Sequence, residues 1–117
     1  MHLNRQIITE LKQLMEEEFP ILIRTFIDDS YLRLDRLIMC VSQKNYEEIR
    51  REAHSFKGSS SNMGAVTLTE LCLELEHLSA KTKLDHSEFN FIMLQNMMDK
   101  INSELKAVAE ELQTHLE

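Results

Sequence analysis

The chain has 117 residues, 43% of them hydrophobic and 28% charged, with two Gly, one Pro, two Cys and no Trp. All-β sandwiches and barrels need turn residues roughly every 8–12 positions, so so few Gly and Pro exclude them and leave helix. The length fits one domain over residues 1–117, large enough to hide roughly two-thirds of its extended surface, and a formal charge of −7 argues against nucleic acid or anionic lipid as a partner.

Leu3, Ile7, Leu11 and Leu14 define a short amphipathic helix. Pro20 sits where a first-turn proline belongs and opens a long second helix, whose apolar positions Ile23, Ile27, Leu34, Leu37 and Val41 recur every three or four residues, with Ser30 in the same series. Asn45 with Glu48 marks the next start, and the stripe Tyr46, Ile49, Ala53, Phe56, Ser60 and Met63 carries that helix over about 45–63, to a stop at Gly64. Thr67 with Glu70 reads as a further cap, followed by Leu68, Leu71, Cys72, Leu75 and Leu78 and an end around Lys81 to Leu84. Asp85 with Glu88 opens the last helix, marked by Phe91, Leu94, Met98, Ile101, Leu105, Val108 and Leu112. Long helices with short connections predict an all-α fold, an antiparallel up-down-up-down four-helix bundle with a short extra N-terminal helix. Cys40 and Cys72 lie in apolar helical patterns, and no charged leader precedes an apolar run. Both therefore read as reduced core residues of a cytoplasmic protein without a membrane span.

Both glycines fall within the stretch from Ala53 to Ala65. Gly64 is explained by the helix end, but a glycine inside a helix costs about 1 kcal/mol relative to alanine, and Gly58 lies in mid-pattern. On a helical wheel His54 falls roughly 125° from the core centre, on the solvent side. Gly58 is one turn further along that face, and Lys57 and Ser61 flank it. The glycine clears the approach to an exposed imidazole that has an ammonium beside it. Neutral imidazole is a nucleophile near neutral pH, and a cation stabilises charge on moving phosphoryl oxygens, so the pattern points to phosphoryl transfer.

The run His54-x-Phe56-Lys57-Gly58-Ser59-Ser60-x-x-Met63-Gly64-Ala65 resembles the signature of histidine-containing phosphotransfer (HPt) domains, H-x-[LF]-K-G-[SA]-[SA]-x-x-[LIM]-G-[AL], at every defined position. The resemblance implies His54 as phosphoacceptor, Lys57 as the phosphoryl-stabilising cation and Gly58 as the opening for the partner's active site. It also implies that Glu76, at the family's Gln or Glu position in the next helix, bonds the other ring nitrogen and leaves Nε2 outward. Ser59 and Ser60 let the helix pack closely to a neighbour, and Ser61 faces either the phosphoryl group or the partner.

Rival chemistry is thin. Glu74-x-x-His77 has di-metal bundle spacing, yet a second such pair and two further inward glutamates are missing from the sequence, so no metal site is expected. There is no G-x-x-x-x-G-K-[ST] loop and no kinase-type glycine loop. In the first helix Ile8 and Met15 widen the apolar arc to about 140°, more than a short helix buries easily. Ile8, Leu11 and Met15 are therefore expected to form an exposed docking patch, unless they merely cap the bundle. Arg50, Arg51 and Lys57, joined by Arg33 or Arg36, would place local positive charge near His54 on an acidic protein.

The expectation is a monomeric phosphorelay carrier without kinase activity. It would take a phosphoryl group from the receiver-domain aspartate of a hybrid sensor histidine kinase onto His54 and pass it to that of a response regulator. Mg²⁺ would come from the receiver. The competing expectation is a helical adaptor whose His54 face binds a partner without becoming phosphorylated.

Overall fold

A computed structural model describes residues 1–116. Five α-helices follow one another: α1 (Arg5–Met15), α2 (Phe19–Ser42), α3 (Tyr46–Asn62), α4 (Val66–Asp85) and α5 (Glu88–Thr114), with a 3₁₀ turn over Glu16–Glu18 joining the first two. Among the described residues there is no strand, and no helix is long and apolar enough to cross a membrane. The helices α2 to α5 make an antiparallel bundle, and α1 lies across the end where α3 turns into α4, in a molecule 47 × 21 × 20 Å in extent.

The bundle core is built from one stripe of each helix. It includes Phe19, Ile23, Leu37, Ile49, Phe56, Leu68, Leu75, Leu94, Ile101, Leu105 and Leu112, all fully buried. Phe26 belongs to this core, whereas Ile27 and Cys40 are only half-buried at its margin. Cys72 is fully buried and burial pushes its thiol pKa up to about 12, so it behaves as a small apolar side chain.

Caps set the helix boundaries, and two differ from expectation. Asn45 caps α3 by accepting from the Glu48 amide, and Gly64 ends it with φ 74°. Thr67 is not a cap. Its helix starts earlier, at Val66, because the Val66 amide is satisfied by the carbonyl of His2. Asp85 does not open α5 but ends α4. Its carboxylate accepts from the Ser87 amide and Asn90 Nδ2, and Ser87 is the cap, accepting from the Asn90 amide.

The expected docking face of α1 also needs correction. Ile8 is 1% exposed and belongs to the core, Leu11 and Met15 pack half-buried against it, and Leu14 is the residue turned outward, at 78%. Ile8, Leu11 and Met15 recur at helical spacing along one side, so the helix rolls that side onto the bundle. Ile8 is thus unavailable to a partner.

Candidate phosphoacceptor site on α3

His54 stands on the outer face of α3, its side chain 66% exposed. Glu76 comes from the facing side of antiparallel α4, 12% exposed, and both its oxygens lie 3.0 Å from His54 Nδ1. Burial alone would raise the Glu76 pKa, but hydrogen bonds from His54 and Lys57 outweigh it and bring it below the ordinary carboxylate value. An ionised carboxylate can only accept, so Nδ1 carries the hydrogen and the Nε2 lone pair of a neutral ring is the free one.

The same carboxylate holds Lys57, with Nζ 3.0 and 3.3 Å from its two oxygens. This second bond was not legible in the spacing, which only placed Lys57 one turn from His54. Gly58 is exposed, and a Cβ built on it would meet nothing within 4 Å. No neighbour therefore requires the glycine, and the space it leaves opens beside the imidazole. Ser61 is exposed one turn further on, at the edge of a shallow recess of about 260 Å³ shared with Ile7 and Glu70. Ser60 is fully buried in the core.

The expected positive patch is largely neutralised from within. Arg50 Nη2 bonds Glu47 at 2.6 Å and Arg51 lies 3.5 Å from Glu48, both pairs along the same helix face. Arg33 of α2 reaches α3, donating to Ser55 Oγ at 2.7 Å while its Nε donates to Asp29 at 2.7 Å. Between α1, α2 and α3 lies a groove of about 510 Å³. Leu11, Leu22, Phe26 and Met63 form its apolar floor, and Arg33 and Ser55 form its rim next to His54. Glu74 and His77 are exposed on α4, and among the described residues no three His, Cys, Asp or Glu side chains converge as a metal site.

An antiparallel helical bundle with a solvent-facing histidine, fixed through one nitrogen and open at the other, defines the class of histidine phosphotransfer bundles. Residues 21–115 match the Hpt domain family, and the chain belongs to it. The fold agrees with solved structures. Histidine-containing phosphotransfer protein B (HptB) from Pseudomonas aeruginosa is 32% identical over 97% of this chain and 93% of its own, with a TM-score of 0.86. Ypd1 of Saccharomyces cerevisiae, crystallised with the receiver domain of its downstream response regulator Ssk1, superposes with a TM-score of 0.89 at 20% identity, over 99% of this chain and 95% of its own. The yeast phosphorelay protein Ypd1 by itself gives 0.86 at 19%, over 97% and 94%. No curated protein matches the chain by sequence.

Proposed function

We propose that this Hpt protein carries a phosphoryl group on His54 between receiver domains. The observation that carries the reading is the bond from His54 Nδ1 to Glu76, which leaves Nε2 as the nucleophile on an open face. Nε2 attacks the phosphorus of a receiver's aspartyl phosphate, the N–P bond forms, and the P–O bond breaks with its electron pair leaving on the aspartate carboxylate. The ring keeps its Nδ1 hydrogen and becomes positive, a charge the Glu76 carboxylate faces directly. Running the same step backwards onto a second receiver discharges the carrier. Lys57 lies within reach of the moving oxygens, and Gly58 leaves the approach clear.

A receiver domain, such as the one seated on Ypd1, is the partner this face fits. The groove rim includes Ser55, the residue after His54, with Arg33 beside it, and its floor, with Leu11 and Met63, supplies apolar contact. The Mg²⁺ of the transfer belongs on this reading to the receiver's carboxylates, and a hybrid sensor kinase and a response regulator are donor and acceptor. The chain works as a monomeric carrier without kinase activity, and its free thiols suit a reducing cytoplasm. Incubation with a radiolabelled phosphoreceiver is expected to leave acid-labile, base-stable phosphate on the wild-type chain and none on His54→Ala. Stable receiver binding without any phosphate on the chain would support the adaptor reading instead.

A further inference from the structure

Residues 1–4 run across the turn that ends α3. Thr67 Oγ1 donates to the Met1 carbonyl at 2.6 Å, the Val66 amide to the His2 carbonyl at 3.1 Å, and the Asn4 amide to the Gly64 carbonyl at 2.8 Å. His2 Nδ1 meets Glu104 Oε2 of α5 at 2.7 Å, and Leu3 is buried in the core. The segment therefore ties the end of the His54 helix to α4 and α5.

Apart from the segment, helix α1 is held by Ile8 in the core, by Leu11 and Met15 half-buried against it, and by Lys12 Nζ donating to the His115 carbonyl at 3.5 Å. Its 11 residues bury only Ile8 completely, and an isolated helix of that length is unstable in water. At its far end the chain passes through Glu16 with φ 51°, a conformation side chains disfavour. At its near end Ile7 abuts Gly64, 3.0 Å from where a Cβ would stand. Leu11 of this helix is part of the apolar floor of the groove whose rim includes Ser55, the residue after His54. Both the segment and α1 precede residues 21–115, the span that matches the Hpt domain family.

We infer that residues 1–4 form a strap that positions α1, and through Leu11 sets how well the groove takes a receiver domain, while leaving the chemistry at His54 untouched. Thr67, His2 and Glu104 are then positioning residues for docking. The inference rests on the receiver-docking reading of the groove given above. When the strap opens, only the fraction of molecules with α1 seated is competent to dock, and apparent affinity falls by that fraction.

The test combines Thr67→Val, which removes the donor at similar volume, with His2→Ala, in the full chain. Amide exchange of α1 is expected to accelerate by about tenfold while α2 to α5 keep their protection. In single-turnover transfer from the phosphorylated receiver domain that is fastest on wild type, the half-saturating receiver concentration is expected to rise about threefold or more. The rate at saturation should stay within about twofold of wild type. Thr67→Ser, which restores the donor, with native His2 should return both readouts to wild type. Unchanged α1 exchange overturns the proposal, as does faster exchange with unchanged half-saturation or a loss confined to the saturating rate. A wild-type chain that takes phosphate from no receiver overturns the carrier reading and the docking half of the proposal, and the exchange data then judge the strap alone.

Discussion

Glu76 holds His54 by a single ring nitrogen, with both carboxylate oxygens 3.0 Å from Nδ1. The second nitrogen is thereby aimed without being covered, because Glu76 lies low against the bundle while the imidazole stands mostly in solvent. Binding the acceptor from beneath fixes its tautomer at no loss of access. Removing the ring should consequently remove the chemistry and spare the fold.

His54→Ala is expected to abolish phosphoryl acceptance and to change unfolding free energy by no more than about 0.5 kcal/mol. Glu76 keeps Lys57 as its partner in that variant, so no buried carboxylate is stranded. Phosphate recovered from the variant at wild-type yield would move the acceptor to another residue.

Acid should weaken the bundle through two carboxylates. Hydrogen bonds from Arg50 and Lys83 outweigh burial and lower the Glu47 pKa from 4.5 to about 2, while His54 and Lys57 lower that of Glu76 against the pull of burial. A pKa below its unfolded value means stability that is fully present above the unfolded value and lost as pH falls through the folded one. The melting temperature is expected to decline from about pH 4.5 towards pH 2, and Glu47→Gln together with Glu76→Gln should flatten that decline. Parallel melting curves for wild type and the double variant across this window would show that other groups govern acid unfolding.

The sequence made the five helices and the face of α3 readable because apolar periodicity and two glycines report directly on burial and backbone conformation. Helix ends were readable where a single residue type marks them, by a capping side chain or by glycine's backbone freedom. Asn45 and Gly64 announce themselves, but Lys44 and His86 adopt left-handed φ values of 54° and 50° without being glycine, and the cap of α4 is the backbone of His2. The roll of α1 escaped for a similar reason. Five apolar residues spread around a short helix do not say which side faces inward, and the deciding contacts come from the strap and from Gly64. At the site, the His54 face was legible in spacing. The pairing of Lys57 with Glu76, and of Arg50 and Arg51 with carboxylates of their own helix, depends on side-chain reach and was not.

Lys57 is the residue whose role in the free protein differs most from its role in transfer. Its ammonium rests on Glu76, and on the carrier reading incoming phosphoryl oxygens would offer it a second anion. Lys57→Ala is expected to lower the saturating rate of single-turnover transfer on the order of a hundredfold. The half-saturating receiver concentration should change far less. A variant that loses receiver affinity at an unaltered saturating rate would identify Lys57 as a docking residue.

The two glycines of the chain should respond to substitution with opposite signs. At Gly58 an added Cβ meets open space, so Gly58→Ala is expected to stabilise the free protein by up to about 1 kcal/mol through helix propensity. At Gly64 the backbone holds φ 74° and the Cβ would come within 3.0 Å of Ile7. Gly64→Ala is therefore expected to destabilise by roughly 1 kcal/mol or more, and the strain falls on the contact that seats α1. Function separates the pair again. Gly58→Gln should keep or raise the melting temperature yet slow phosphoryl transfer, since a long side chain there stands in the partner's path to His54. Gly64→Ala, measured below its lowered melting temperature, should retain acceptance at His54, which lies more than two turns away along α3. Thermal unfolding and single-turnover transfer on the same preparations decide the matter: a Gly58→Gln protein that unfolds, or that transfers at the wild-type rate, would make this glycine a packing residue like its neighbour.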